Sequence, residues 1–195
     1  MGKFTKPKLI IGLGNPGKAF ENTYHNAGRM AVFYFAEKLG IGSGEWKSSP
    51  LFKYAKSGNL ILAASETFMN ESGVATKAAL KFFKLQKENL LLAHDESDLT
   101  LGSFKISFGA GPAGHKGAES AQKALKTKDF WRARIGIRIQ NEKSRAKAGD
   151  LVLKKIGVSQ LKKLHLVFAE LMEKLTENES PSGPDFTPSS GNFTF

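Results

Sequence analysis

The 195-residue sequence contains no cysteine. This absence excludes disulfides, thiolate nucleophiles and cysteine-ligated zinc, and it fits a reducing compartment, so we expect a cytoplasmic protein. Long apolar runs are also missing, since none reaches the roughly 18 residues that a membrane-spanning helix needs. The apolar run after the basic N-terminus covers only residues 9–13. That is too short for the core of a signal peptide.

Acidic residues are scarce relative to basic ones. The chain has 18 Asp and Glu against 29 Lys and Arg, which gives a net charge of +11. Residues 116–163 hold 14 basic and 4 acidic side chains, so a balance of +10 lies in that quarter of the chain. A solvated basic surface explains such an excess, and so does a face that follows nucleic-acid phosphates. Few aromatic residues interleave with these charges, which favours contact with the phosphate backbone over stacking on bases.

Short apolar strands and helical segments alternate through most of the chain. The patterns predict strands at residues 8–13, 51–55, 60–64, 90–93, 103–108 and 134–139. They predict helices at residues 26–39, 118–126 and 159–175, and a further helix that Asn70 or Ser72 caps and that reaches residue 83. This alternation predicts an α/β fold: a single-domain mixed, largely parallel twisted sheet with helices on both faces.

The composition changes near the C-terminus. Residues 177–195 are rich in Ser, Pro, Gly and Thr, which is typical of a disordered tail. We therefore expect one folded domain over residues 1–176 and a tail over residues 177–195. Residues 141–149 form a polar, basic stretch that predicts a loop within the domain.

Polar sequences follow three of the predicted strands, at residues 15–17, 95–96 and 109–117. Ligands of α/β sheets bind at the carboxyl ends of strands, so we expect these segments to converge on one site. His25 precedes a predicted helix, where an imidazole is a candidate general base. Asp95 is a candidate partner that would hold the imidazole in one tautomer. The spacing of the two residues does not show that they meet.

Other kinds of site stay open from the residues alone. Residues 12–17 match the G-x-G-x-x-G pattern of dinucleotide-binding loops, but no helix follows directly, and a tight turn that presents Asn15 explains them as well. Residues 109–117 are either a connector or a glycine-rich loop that approaches a ligand closely. Five side chains of metal-ligand type occur without a recognised ligand spacing: His94, Asp95, Glu96, Asp98 and His115.

Six stretches together resemble the bacterial-type peptidyl-tRNA hydrolase family. They occur in the family's order and at similar spacing over about residues 8–175. The stretches are KLIIGLGNPG (8–17), T-x-HNAG (23–28), ETFMNESG (66–73), LLAHDESDL (91–99), GHKG (114–117) and RARIGI (132–137). The resemblance implies a monomeric α/β enzyme without metal or cofactor. Such enzymes cleave the ester between the peptide and the 3′-terminal ribose of peptidyl-tRNA and so recycle tRNA for translation.

The resemblance also implies roles for individual residues. The histidine matching His25 acts as the general base on water, and the aspartate matching Asp95 supports it. The asparagine matching Asn15 binds the peptide side of the substrate, and the one matching Asn70 helps to hold the cleft and the scissile ester. Met69 would line the cleft. Amide donors at such positions stabilise an oxyanion, which is worth ~3 kcal/mol for one donor.

Three positions depart from the family pattern. Lys116 replaces an asparagine that lies near the catalytic water or substrate, and lysine donates hydrogen bonds but cannot accept them. Phe20, a further substrate-binding position, lacks the hydroxyl of the family's tyrosine. Arg134 matches the residue that holds the tRNA 5′-phosphate, but its usual partner lysine falls at Ser107. We therefore expect Lys105 or Lys116 to supply the second charge.

An alternative function is a non-catalytic RNA-binding paralogue of the same fold, which the change at position 116 keeps open. A nucleotide-dependent enzyme is a more remote alternative. The joint presence of Asn15, His25, Asn70 and Asp95 favours the hydrolase.

Overall fold

The computed structural model describes residues 6–139 and 152–176, together with the backbone of residues 185–186. Within these ranges, the strands are β1 (Leu9–Gly12), β2 (Lys47–Ser48), β3 (Phe52–Ser57), β4 (Leu60–Ser65), β5 (Leu90–Thr100), β6 (Phe104–Phe108), β7 (Trp131–Arg138) and β8 (Asp185–Phe186). The α-helices are α1 (Ala27–Lys38), α2 (Ser72–Phe82), α3 (Lys116–Leu125) and α4 (Val158–Thr176). No helix in the described ranges is both long and apolar enough to cross a bilayer.

The strands form one mixed sheet in the order β2-β3-β4-β1-β5-β7-β6-β8. The four central strands, β4, β1, β5 and β7, run parallel to one another. The outer pairs on both sides are antiparallel. The predicted mixed α/β sheet is thus confirmed, but it is parallel only in its centre: among the described strands, three pairings are parallel and four are antiparallel.

Helices cover both faces of the sheet, as predicted. Because successive side chains of a strand point to opposite faces, Leu91 and Leu92 of β5 enter different cores. Leu91 packs with α1 and α4, through residues such as Phe35 and Phe168. Leu92 packs with α2 and α3, through residues such as Leu80. The central strands are therefore fixed from both sides, which gives the site that they carry a rigid base.

Some predicted elements were wrong in detail. The strand predicted at residues 90–93 continues to Thr100, so His94 and Asp95 lie inside β5 rather than beyond its end. This happens because β5 keeps pairing with β7 through Glu96. The strand predicted to have one wet face is β7, and its residues from Trp131 to Ile137 are almost all buried.

The helix α2 begins differently from the prediction. Its N-cap residue is Glu71, and no side-chain hydrogen bond caps it, so neither Asn70 nor Ser72 has the predicted role. The glycine pattern at residues 12–17 does not open a helix, because a separate 3₁₀ turn follows it and α1 begins only at Ala27. This geometry does not match a dinucleotide-binding loop. The predicted loop at residues 141–149 lies outside the described residues, as does most of the predicted tail.

Candidate active site

An open cleft of about 570 Å³ lies beside the end of β1 and the middle of β5. The three polar segments predicted to converge all contribute to its lining. Seven of the predicted site residues line it: Asn15, Phe20, His25, Met69, Asn70, Asp95 and Lys116. The two predicted phosphate-binding residues, Arg134 and Lys105, lie elsewhere, on β7 and β6.

Close packing of α1 on the sheet brings His25 to the cleft. His25 lies in the 3₁₀ turn Tyr24–Asn26, which leads directly into α1. A Cβ atom at Gly28 would lie 2.1 Å from the carbonyl oxygen of Ala93, and one at Gly12 would lie 2.3 Å from the carbonyl oxygen of Gly28. Any larger residue would push α1 away from β1 and β5. These glycines therefore set the distance between His25 and the strand that carries its partner.

His25 and Asp95 form a buried hydrogen-bonded pair. The Nδ1 atom of His25 lies 2.9 Å from Oδ1 and 3.2 Å from Oδ2 of Asp95. Their relative exposures are 9% and 2%. Since a carboxylate only accepts, Nδ1 carries the ring proton and Nε2 keeps a lone pair. The structure thus assigns His25 the tautomer that a general base needs.

His115 contacts the same carboxylate, and its ring centroid lies 4.9 Å from that of His25. Its Nε2 atom lies 2.9 Å from Oδ1 of Asp95. Its Nδ1 atom accepts hydrogen bonds from the backbone N–H groups of Gly117 and Ala118, each at 3.1 Å. Because Nδ1 is used as an acceptor, the ring proton is on Nε2, which donates to Asp95. His115 thus caps α3 and orients Asp95 at the same time.

The same three residues form a cluster that could be mistaken for a metal site. One ligand atom from each of His25, Asp95 and His115 lies within 4.8 Å of the others. To bind a metal through Nε2, His115 would have to carry its proton on Nδ1, where two backbone N–H groups already point. The donor set therefore suits a hydrogen-bond network better than a metal ion.

Asp95 remains ionised although it is buried. Burial alone would raise the pKa of this carboxyl, but the imidazoles, His115 ahead of His25, hold its pKa well below the ordinary range. The neighbouring His94 behaves differently, because burial, with His115 and Arg132 adding to it, lowers its pKa well below 6.5. At neutral pH, Asp95 is therefore an anion and His94 a neutral imidazole.

Hydrogen bonds to both its backbone and its side-chain amide orient Asn15. The side chain of Asn26 accepts from the N–H of Asn15 at 2.8 Å and donates to its carbonyl oxygen at 3.0 Å. The Oδ1 atom of Asn15 accepts from the N–H of Met69 at 2.8 Å. This leaves the two N–H donors of the Asn15 amide for a ligand in the cleft. Asn26 was not among the predicted site residues, although it stands in the HNAG stretch.

Apolar and polar residues line different parts of the cleft. The rings of Phe20 and Phe68 meet edge to face with centroids 6.2 Å apart, and Phe68 is 54% exposed. Met69 is buried, whereas Asn70 beside it is exposed. Lys116 is the exposed first residue of α3, and it borders both this cleft and a neighbouring groove between α2 and α3. The cleft thus offers an apolar surface next to amide and ammonium donors.

Arg134 and Lys105 lie directly opposite each other on the antiparallel strands β7 and β6. Nε of Arg134 donates to Oε2 of Glu96 at 3.0 Å, and the Glu96 side chain is only 1% exposed. Part of the Arg134 guanidinium therefore holds a buried carboxylate, which the sequence did not indicate. The predicted proximity of the two cations agrees with the strand register.

Two further residues were missed as parts of the site. His115 was considered only as a metal ligand, because the helix was predicted to begin at residue 118, whereas α3 begins at Lys116 with His115 as its N-cap. Arg132 was treated only as part of a matching stretch. It is 1% exposed, and it contacts both His94 and the glycine-rich loop. No feature of the sequence distinguishes this buried arginine from the exposed ones nearby.

Comparisons with known proteins agree with the geometry. The family model described as Peptidyl-tRNA hydrolase matches residues 9–181. A peptidyl-tRNA hydrolase of Marinobacter nauticus is 39% identical over 175 residues, which cover 88% of each chain. One of Aromatoleum aromaticum is 38% identical over 132 residues, which cover 67% of each chain.

Solved structures agree as well. The peptidyl-tRNA hydrolase of Acinetobacter baumannii matches with a TM-score of 0.76 and 29% identity over 90% of this chain and 89% of that one. A complex of peptidyl-tRNA hydrolase with n-propanol has the same TM-score at 30% identity over 87% of both chains. The family match over residues 9–181, the shared fold and the cleft with its imidazole–carboxylate pair lead to one conclusion: the chain belongs to the peptidyl-tRNA hydrolase family.

Proposed function

We propose that the protein hydrolyses the ester bond between the peptide and the 3′-terminal ribose of peptidyl-tRNA and so returns free tRNA to translation. The observation that carries the proposal is the orientation of His25. Its Nδ1–H donates to buried Asp95, and its Nε2 lone pair is left for a water molecule. A non-catalytic RNA-binding role has no specific observation in its favour, because the residues that hydrolysis requires are assembled in one cleft.

The reaction needs one base and one group that stabilises negative charge. Nε2 of His25 takes a proton from water, whose oxygen bonds to the ester carbonyl carbon. The carbonyl oxygen becomes an oxyanion, for which the amide donors of Asn15 and Asn70 are the available partners. The carbon–oxygen bond to the ribose then breaks, and the 3′-oxygen receives the proton from the His25 imidazolium. Asp95 stabilises that imidazolium and keeps the ring in place.

The lining of the cleft suggests separate binding places for the peptide and for the RNA part of the substrate. The apolar side, with Phe20, Phe68 and Met69, suits the peptide, and Asn15 offers donors to its carbonyl groups. Lys116 lies on the rim, where its charge suits the ribose–phosphate side. In this arrangement the lysine replaces the lost asparagine as a donor and adds attraction for RNA.

The experiment measures release of free tRNA from a short peptidyl-tRNA by the wild type, His25→Ala and His165→Ala. His165 is an exposed histidine of α4 that does not line the cleft, so it is a matched control. We expect His25→Ala to lose about 10²- to 10⁴-fold in kcat, the usual contribution of general-base catalysis. We expect His165→Ala to be close to wild type.

The same assay tests the metal-independent mechanism. Turnover should be unchanged by a chelator, because no step of the proposed reaction uses a metal. Near-normal turnover by a folded His25→Ala variant would refute the mechanism. Loss of activity on chelation would refute its metal independence.

We further propose that Arg134 and Lys105 bind a tRNA phosphate. Their cross-strand register places the two cations side by side, and Arg134 keeps only part of its guanidinium on Glu96. Replacing Arg134 alone would leave a buried Glu96 carboxylate unpaired, which costs about 3–5 kcal/mol of stability. The suitable variants are therefore Lys105→Gln and the charge-neutral pair Arg134→Gln with Glu96→Gln.

The salt dependence of substrate binding tests this phosphate site. A plot of log binding constant against log salt concentration has a negative slope, and each lost phosphate contact should reduce the magnitude of that slope by about 1. Lys81→Gln, an exposed change on α2, is the control and should leave the slope unchanged. An unchanged slope in both phosphate-site variants would remove these residues from the RNA interface.

We also propose that the protein acts as a monomer in the cytoplasm. The chain has no cysteine for extracellular disulfides, and its cleft is formed by residues of a single copy. Sedimentation at micromolar concentration should give the mass of one chain, and a dimer that dissociates with loss of activity would contradict the proposal.

A further inference from the structure

The two residues of the Asp95–His115 contact belong to separate segments of the chain. Asp95 belongs to β5, whose position the sheet determines. His115 follows the glycine-rich loop of residues 109–114, which belongs to no strand or helix. The contact therefore depends on where this loop lies over the sheet. Something other than regular secondary structure must hold it there.

Arg132 provides such a hold. Its side chain projects from β7, and the residue is 1% exposed. Its Nη2 donates to the carbonyl oxygen of Gly111 in the loop at 2.5 Å. Its Nη1 lies 3.4 Å from Nε2 of His94. One planar guanidinium thus reaches the loop with one nitrogen and β5 with another, a geometry that arginine's rigid fork provides and lysine's ammonium does not.

His94 extends this connection to the catalytic strand. Its Nδ1 donates to the backbone carbonyl oxygen of Asp95 at 2.6 Å. Its ring also packs against the ring of His115, with centroids 4.5 Å apart. Arg132, His94, Asp95 and His115 are therefore in continuous contact, from the loop anchor at Gly111 to the carboxylate.

Little chain separates the anchor from His115. Pro112, Ala113 and Gly114 are the three residues between Gly111 and His115. Ala113 has a φ of 49° and Gly114 a φ of 78°. The left-handed region is unfavourable for a residue with a Cβ atom such as Ala113, so the loop has a reason to relax unless it is anchored. A second anchor comes from Gln122, whose Nε2 donates to the carbonyl oxygen of Ala110 at 2.9 Å.

Arg132 keeps its charge in this setting. Burial, together with the nearby charge of Arg134, lowers its pKa to about 10, and Glu96 acts in the opposite direction. The guanidinium is therefore still protonated at neutral pH, and all its N–H groups can donate.

We infer that Arg132 is a positioning residue for the hydrolase site: by binding Gly111 and His94 together, it holds the glycine-rich loop so that His115 donates to Asp95. It acts through His115 and is not among the residues that line the cleft. The inference rests on the proposed function for its kinetic consequence. The His115–Asp95 contact itself is observable without any activity.

The direct test is the imidazole N–H proton of His115 in the NMR spectrum. A ring proton donated to a buried carboxylate gives a downfield signal protected from exchange, which the variant His115→Asn identifies by its disappearance. We expect Arg132→Met to abolish or strongly broaden this signal while the corresponding signal of His25 remains. Arg29→Met is the control, because Arg29 also donates to a backbone carbonyl, that of Ser65, but not in this network. It should leave the His115 signal in place.

A kinetic cycle tests whether Arg132 acts through His115. We expect Arg132→Met to lower kcat about tenfold with KM changed less than twofold, since only positioning for the chemical step is lost. Added to His115→Asn, the same change should lower kcat less than twofold further, because coupled residues are not additive. If the two losses multiply instead, Arg132 does not act through His115 and the inference fails.

A conservative variant keeps the test informative if Arg132→Met does not fold. Arg132→Lys keeps the charge, but its ammonium cannot form the same two-pronged contact, so the His115 signal should shift or broaden and kcat should recover only in part. A wild-type His115 signal in folded Arg132→Lys and Arg132→Met proteins would overturn the inference. If the wild type fails to release tRNA, the proposed function falls, and the NMR result still decides the role of Arg132.

Discussion

The cleft has two sides that meet at Asp95, and each brings one histidine. On the α1 side, His25 places Nδ1 2.9 Å from Oδ1 of Asp95. On the α3 side, His115 places Nε2 at the same distance from the same atom. The residue type, the partner and the distance are the same. What differs is the other nitrogen of each ring.

That second nitrogen determines what each histidine can do. On the α3 side, the N–H groups of Gly117 and Ala118 occupy Nδ1 of His115. On the α1 side, Nε2 of His25 is left at the cleft. An imidazole whose two nitrogens both form hydrogen bonds within the protein can only stabilise structure. An imidazole with a free lone pair can accept a proton as a base. The local backbone, rather than the identity of the side chain, therefore assigns the chemistry.

Removing the shared carboxylate should have the largest effect, because both sides depend on it. Asp95→Asn keeps the size of the side chain but loses the charge that orients and stabilises His25. We expect kcat to fall by about 10³- to 10⁴-fold, as for loss of a carboxylate that determines the tautomer of a catalytic histidine. Single-turnover release of tRNA measures this loss. Asp98→Asn, an exposed change three residues along β5, is the control. If Asp98→Asn lost as much, the effect would not belong to the Asp95 network.

A smaller loss is expected when only the α3 side is changed. His115→Asn removes the donor to Asp95, while the asparagine oxygen still caps the N–H groups of α3. We expect kcat to fall about 10- to 100-fold, which corresponds to losing one hydrogen bond to a charged group. His115→Ala should lose the same activity and also about 1 kcal/mol of stability, since it removes the cap as well. Kinetics with parallel thermal melts separate the two effects. Unchanged kcat in His115→Asn would mean that His25 and Asp95 work without this side.

His94 is a third imidazole at this site, in contact with the backbone of Asp95 and with the ring of His115. Its pKa is lowered on folding, so below about pH 6.5 the unfolded chain binds a proton there that the folded protein does not. Stability from this group is present above about pH 6.5 and is lost as the pH falls, at up to about 1.4 kcal/mol per pH unit. His94→Asn cannot bind that proton, so its melting temperature should fall less between pH 7 and pH 5 than that of the wild type.

The range from pH 7 to pH 5 also distinguishes the contribution of His94 to stability from that of Asp95. The pKa of Asp95 is held below its unfolded value of about 3.9, so its contribution to stability is lost only at lower pH. Comparing wild type and His94→Asn isolates the His94 contribution from the other histidines. Parallel curves for the two proteins between pH 7 and pH 5 would contradict a buried, neutral His94.

The fold and the general place of the site could be predicted from the sequence because they depend on patterns that a sequence displays. Alternating strands and helices predicted the layers, and polar residues after strands predicted the convergence of Asn15, Asp95 and the glycine-rich loop. The place of His25 before α1 and the ordered motifs connected it with Asp95. The structure adds the 2.9 Å contact that no spacing implied.

Other features could not be predicted because they arise from partners distant in sequence. The role of His115 depends on backbone N–H groups at the start of α3, and the pairing of Arg134 depends on Glu96 from another strand. Arg132 resembles the exposed basic residues around it until the sheet and the loop cover it. The predicted N-cap of α2 was wrong. Residue preferences favoured Asn70 or Ser72, but the N-cap is Glu71, which makes no side-chain capping hydrogen bond.

Two histidines donate to one aspartate in opposite tautomers. Nitrogen-15 NMR of the imidazole rings at neutral pH measures this directly, since protonated and bare ring nitrogens have well-separated shifts. We predict a proton on Nδ1 and a bare Nε2 for His25, and a bare Nδ1 with a proton on Nε2 for His115. A proton on Nε2 of neutral His25 would contradict the account, because the nitrogen assigned to water would then have no lone pair to accept a proton.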